Sequence, residues 1–98
     1  MEKRTIHYNL TTVHRLLAEN KVRATFTALK GAAALGCSYD DMLSVVAHLS
    51  RKDFYKSMTT HTDHTIWQDV YRPKTRFGHI YLKLTVIDEV LIVSFKEL

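Results

Sequence analysis

A chain of 98 residues, 46% hydrophobic and 24% charged, is sized and composed for one compact domain, which excludes a disordered chain and two independent cores. Its net charge of +4 and pI near 9.3 favour an acidic partner, nucleic acid or acidic protein, without choosing between them. Cys37 is the only cysteine, so an intramolecular disulfide and a thiolate metal cluster are excluded and a reducing cytoplasm is the expected location. MEKRTIHYNL lacks a signal-peptide run and no window has the length of a membrane span, so no membrane partner is expected.

Helices come first. Leu10, Val13, Leu16 and Leu17 follow helical spacing, with Asn9 or Thr11 as N-cap. Val22, Phe26, Leu29 and Ala33 form the stripe of a second helix that Gly36 closes. Ser38 caps a third, completed by Asp41 three residues on and faced by Met42, Val45, Val46 and Leu49. After Ser50 the pattern alternates: a short turn at SRKD, then strands at about 54–59 and 65–72, the latter leading into the turn formers PKTRFG. In the next strand Ile80, Leu82, Leu84 and Val86 alternate with His79, Tyr81, Lys83 and Thr85. Leu91, Val93 and Phe95 give the last strand the same one-sided face. The expected fold is α+β, with three N-terminal helices packed on one face of a mainly antiparallel C-terminal sheet.

A two-residue turn at Asp88 and Glu89 pairs Leu82 with Phe95 and Leu84 with Val93, matching their apolar faces. It sets Tyr81 opposite Lys96 and Lys83 opposite Ser94 on the other face. An even-numbered loop in the preceding hairpin places Gln68 opposite Tyr81.

The segment from Asp53 to Pro73, DFYKSMTTHTDHTIWQDVYRP, carries more polar and aromatic chemistry than a core requires. Lys56, Gln68, Tyr81 and Lys96 together read as a phosphoryl-transfer site without a metal or cofactor: cations stabilise phosphate charge, a phenol or amine moves protons, and an amide positions the substrate. The same residues also suit a solvated strand surface, where edge lysines prevent aggregation. His61 and His64 form an HxxH pair, but the run TTHTDHT is better suited to a turn closed by Asx-type hydrogen bonds than to a zinc site. Trp67 reads mainly as a core anchor, while Tyr71 is either a base-stacking platform or a plain sheet residue. Cys37 reads as a buried thiol.

DFYKSMTT, DHTIWQDVYRP, HIYLKLTVI and VLIVSFKEL resemble the MqsR toxin family, the motility quorum-sensing regulators, over nearly the whole chain and most strongly from Leu49 to Leu98. The resemblance implies a single RelE-like toxin domain over residues 1–98. It also implies metal-independent cleavage of messenger RNA at GC-containing sites such as GCU, and an MqsA-type antitoxin partner with a zinc-binding and a helix-turn-helix domain. The family's functional positions fall on Lys56, Gln68, Tyr81 and Lys96. Arg72, Lys74, Arg76, Lys83 and Tyr71 are the RNA-binding candidates, the basic ones for contacts that weaken with salt. The implied chemistry is attack of a ribose 2′-hydroxyl on the adjacent phosphate. A non-catalytic RNA-binding or regulatory module using the same basic face is the alternative, and cleavage distinguishes the two.

Overall fold

The computed structural model describes residues 1–98. In chain order the elements are β1 (Glu2–Lys3), α1 (Leu10–Ala18), β2 (Val22–Ala24), α2 (Phe26–Ala34), α3 (Tyr39–Ala47), a 3₁₀ turn (Arg51–Asp53), β3 (Phe54–Thr59), β4 (Trp67–Tyr71), β5 (Lys74–Thr75), β6 (Gly78–Ile87) and β7 (Glu89–Glu97). The sheet runs β1-β3-β4-β6-β7-β2, with β5 paired to β6. No helix is long and apolar enough to cross a membrane.

The expected segregation of three helices before a mainly antiparallel sheet is overturned. The protein fits the α+β class, but two strands interleave with the N-terminal helices and the seven-stranded sheet is mixed. Strand β2 lies parallel to β7, pairing Val22 with Val90 and Ala24 with Ile92. Val22 thus belongs to a strand, and the second helix begins only at Phe26, behind the N-cap Thr25. The apolar stripe expected for that helix is largely exposed: Phe26 is 76% accessible and Leu29 39%, whereas Ala28 and Ala32 are buried.

Small residues let α2 sit directly on the sheet. A Cβ at Gly31 would lie 1.9 Å from the Phe95 carbonyl oxygen, so the helix reaches its depth only because none is present. Thr25 secures the entry: its N–H donates to the Ile92 carbonyl at 3.0 Å, its hydroxyl donates to the Val93 carbonyl at 2.8 Å, and the same oxygen accepts from Ala28 N–H at 3.1 Å. The caps of α1 and α3 follow the sequence. Asn9 accepts from Thr11 N–H, and Ser38 and Asp41 form a reciprocal capping box.

Helices and sheet enclose one core cluster, including Val13, Leu16, Met42, Val46, Ile80, Leu82, Leu84, Ile92 and Phe95. The N-terminal segment is fastened across it by Asp69, a fully buried carboxylate that accepts from the N–H groups of His7 and Tyr8 at 3.2 and 2.8 Å. Further back, the terminal ammonium donates to Thr59 Oγ1 at 3.1 Å, and β1 pairs antiparallel with β3.

The final hairpin departs from simple alternation. Ile87 and Glu89 pair across Asp88, which turns with φ 63°, so the turn is one residue tighter than expected. The slack returns as a bulge: Lys83 faces Ser94 while Leu84 faces Ile92, leaving Val93 without a partner. Val90 and Ile92 therefore point into the core before the bulge, and Phe95 after it, in place of the expected run of Leu91, Val93 and Phe95. The register beyond the bulge is the expected one, with Tyr81 opposite Lys96 and Leu82 opposite Phe95.

Gly31→Ala is expected to destabilise the protein by about 1–3 kcal/mol through overpacking against the Phe95 backbone. Urea unfolding with an unchanged midpoint would contradict this packing.

Candidate functional site

The face of the sheet turned away from the helices is built by register. Cross-strand partners share a face, so Lys56, Val70, Lys83 and Ser94 form one row over β3, β4, β6 and β7. Tyr81 and Lys96 form the adjacent row. Val70 is fully buried but does not belong to the core cluster; it is the apolar floor of this face, between the stems of Lys56 and Lys83.

A second bulge shapes the other side of the site. Phe54 pairs with Tyr71 and Lys56 with Val70, so Tyr55 is the extra residue. The shift lets Phe54 pack inward against Tyr71, their rings 5.6 Å apart, while Lys56 points outward. Tyr55 is gathered by cations: the Arg72 guanidinium lies 4.2 Å from its ring centre, Arg4 5.1 Å and the Lys56 ammonium 5.5 Å. Arg4 foremost, then Lys56 and Arg72, draw the Tyr55 hydroxyl below the usual phenol range.

The lysines differ in state. Lys56 Nζ meets Glu2 Oε1 at 2.6 Å with its side chain only 19% accessible, and this hydrogen-bonded carboxylate raises its pKa. Lys96 is exposed, with its ammonium 5.3 Å from the centre of the Tyr81 ring. Lys83 Nζ lies 6.0 Å from the same ring. Burial, followed by the positive charges of Lys96 and Lys56, pushes Lys83 below the ordinary lysine range.

The structure brings Lys56, Tyr81, Lys83 and Lys96 together and places Gln68 apart. Strands β4 and β6 pair Val70 with Lys83 and Tyr71 with Leu82, so Gln68 does not face Tyr81 as expected. It lies on the same face, paired with Met58, at the opposite side of the Lys83 row and about 13 Å along the strands from Tyr81. The small strand β5, folding back on Gly78 and His79, causes the offset.

The RNA-binding candidates also separate. Arg72 joins the face through Tyr55. Arg76 turns toward the helices, where it pairs with Asp41 at 3.0 Å, and Lys74 lines a cavity of about 350 Å³ there with Asp41, His48 and Asp53. Tyr71 is in the core with no exposed surface; its hydroxyl lacks a hydrogen-bond partner, and burial raises its pKa. A base cannot stack on it in this arrangement. Trp67 is half-buried under His7, stacked at 5.2 Å, and Lys3, 4.2 Å from its ring centre. The HxxH segment is the Asx-type turn expected of it, with Asp63 accepting from Thr65 N–H at 2.8 Å and Thr60 Oγ1 from Asp63 N–H at 3.0 Å. No group of three or more His, Cys, Asp and Glu side chains is placed to hold a metal ion.

Sequence reading missed Glu2, Arg4 and Tyr55. Glu2 and Arg4 are more than fifty positions from the residues they meet, and Tyr55 reaches the surface only through a bulge, which alternation does not disclose.

A helix-backed sheet with cations gathered on its free face has, on an α+β scaffold, the charge that attracts a polyanion. The chain belongs to the family described as motility quorum-sensing regulator, toxin of MqsA, whose model matches residues 5–97. It is 58% identical over 97 residues, 99% of each chain, to the mRNA interferase toxin MqsR of Escherichia coli (strain K12).

The lowered Lys83 pKa carries a stability consequence. The folded protein holds that proton less tightly than the unfolded chain, so the penalty is fully present below the folded value. It is relieved as pH rises through the folded value toward the unfolded one. Lys83→Met is therefore expected to melt above wild type at pH 7, with a gap that narrows at alkaline pH. A gap that widened with pH would contradict the reading.

Proposed function

We propose that this protein is an mRNA interferase, an endoribonuclease toxin that cleaves messenger RNA on the free sheet face and so arrests translation and growth, and that an MqsA-type antitoxin neutralises it. The observation that carries this reading is the full-length 58% identity to an mRNA interferase toxin, joined to the convergence of Lys56, Tyr81, Lys83 and Lys96 on one face. Residues 1–98 act as a single toxin domain in the cytoplasm, where messenger RNA is met.

The ribose 2′-oxygen attacks the neighbouring phosphorus, the bond from phosphorus to the 5′-oxygen breaks, and the products are a 2′,3′-cyclic phosphate and a free 5′-hydroxyl. DNA lacks the nucleophile. Lys56, fixed by Glu2, and Lys96 stabilise charge as it builds on the phosphate oxygens. Tyr81, its ring centre 5.3 Å from Lys96 Nζ and 6.0 Å from Lys83 Nζ, moves a proton to the leaving oxygen. Gln68, two rows away, holds a neighbouring nucleotide, and Arg72 contacts the backbone beside Tyr55. The reaction uses no metal, and the preferred sites contain GC, as in GCU.

Purified protein incubated with a short GCU-bearing RNA in excess chelator is expected to yield cyclic-phosphate ends at the GC-containing site. No cleavage by wild type under any condition would overturn the enzyme reading, and cleavage abolished only by chelator would overturn the metal-free one. Tyr81→Phe is expected to cut the cleavage rate by about 10²–10⁴-fold, with RNA affinity retained; an unchanged rate removes Tyr81 from the reaction. Arg72→Ala is expected to weaken binding and flatten the plot of log affinity against log salt by about 0.7. An unchanged slope would place Arg72 off the RNA path.

A further inference from the structure

The three lysines of the sheet face are not equivalent. Lys56 is held as an ammonium by Glu2 at 2.6 Å, and Lys96 is exposed at the outer end of its row. Lys83 alone is central: it sits on β6 with Val70 of β4 on one side and Ser94 of β7 on the other, so the groups flanking it on both neighbouring strands are uncharged. None of the protein's ion pairs involves it. The charged and titratable groups that face it are Lys56 from β3, with Glu2 of β1 beyond it, Lys96 from β7, and Tyr81 on its own strand. His79, next along that strand face, turns aside to the Arg72 carbonyl at 3.0 Å.

We propose that Lys83 is a further catalytic residue of the cleavage reaction, its neutral amine taking the proton of the attacking 2′-hydroxyl at the centre of the Lys56–Tyr81–Lys96 face. This rests on the ribonuclease reading above and assigns the base which that reading leaves open. Half-burial without a carboxylate, between two ammonium groups, is the environment that frees a lysine amine at a pH closer to neutrality.

The step balances. The Lys83 lone pair takes the 2′-proton as the 2′-oxygen bonds to phosphorus, and the bond from phosphorus to the 5′-oxygen breaks. The leaving oxygen receives a proton from Tyr81, which regains one from water. Lys83 ends as an ammonium and loses its proton to solvent before the next turnover. Lys56 and Lys96 carry the phosphate charge throughout. Had Lys83 only bound phosphate, any permanent cation of similar reach would replace it.

Arginine tests that difference, because a guanidinium keeps the charge and cannot act as a base. In single-turnover cleavage of the GCU-bearing RNA from pH 6 to 9, the wild-type rate is expected to climb with pH. Lys83→Arg is expected to lose about 10²–10⁴-fold in rate with little change in RNA affinity, and to lose the climb. Lys83→Cys alkylated with bromoethylamine restores an amine of lower basicity at the same place; Cys37 is only 5% exposed and is spared. That protein is expected to regain cleavage, with its rate profile shifted to lower pH. Wild-type rate and pH profile in Lys83→Arg would overturn the role of Lys83 while leaving the ribonuclease reading intact. Absence of a cyclic-phosphate product from wild type would overturn both. If Lys83→Arg has no melting transition, the alkylated protein decides: an unshifted profile overturns the proposal.

Discussion

The bulge at Val93 is the constraint on which the rest depends. Val90 and Ile92 point into the core, and unbroken alternation would send Ser94 and Lys96 there too. One extra residue reverses the phase, so Phe95 fills the core and Lys96 emerges opposite Tyr81. Burying an unpaired ammonium would be prohibitive; the bulge removes that conflict. It is held from behind, where the Thr25 hydroxyl donates to the Val93 carbonyl. The helix that follows closes over β7 because Gly31 has no side chain to strike Phe95. A cap residue, a glycine and a bulge thus connect the helical layer to the direction of one lysine.

Part of the strand pairing that builds the lysine face could be read from the residues, and less of the rest of its geometry. Strand β6, the inward Phe95 of β7 beyond the bulge and the pairing of Tyr81 with Lys96 follow from period-two patterning, because only one register buries Leu82 with Phe95. The caps at Asn9 and Ser38 follow from local hydrogen bonding. What failed depended on distant partners. Val22 to Ala24 carry no strand signature of their own and become one only by lying parallel to β7. The bulky stripe of α2 suggested its buried side, yet depth of packing decided for Ala28 and Ala32. Gln68 was misplaced because β5 consumes residues that a simple loop would have left unpaired.

The electrostatic arrangement of this face works against stability. Lys83 is half-buried without a counter-ion, and Lys56 has one only because the N-terminal strand brings Glu2 to it. That strand is only two residues long, fixed by its pairing with β3 and by the hydrogen bonds of Asp69 to His7 and Tyr8. A core of sixteen buried residues offsets the repulsion on the opposite face. The short strands at both sheet edges, β1 and β2, leave little open backbone for unwanted pairing.

The most direct test of the account is a crystal structure of the Tyr81→Phe protein with a GCU-bearing RNA whose attacking ribose lacks its 2′-hydroxyl. The account predicts the scissile phosphate over Val70, in contact with Lys56, Lys83 and Lys96, with the chain running toward Gln68 on one side and Tyr55 and Arg72 on the other. RNA bound on the helical side, at the cavity lined by Asp41, Lys74 and Arg76, would contradict it.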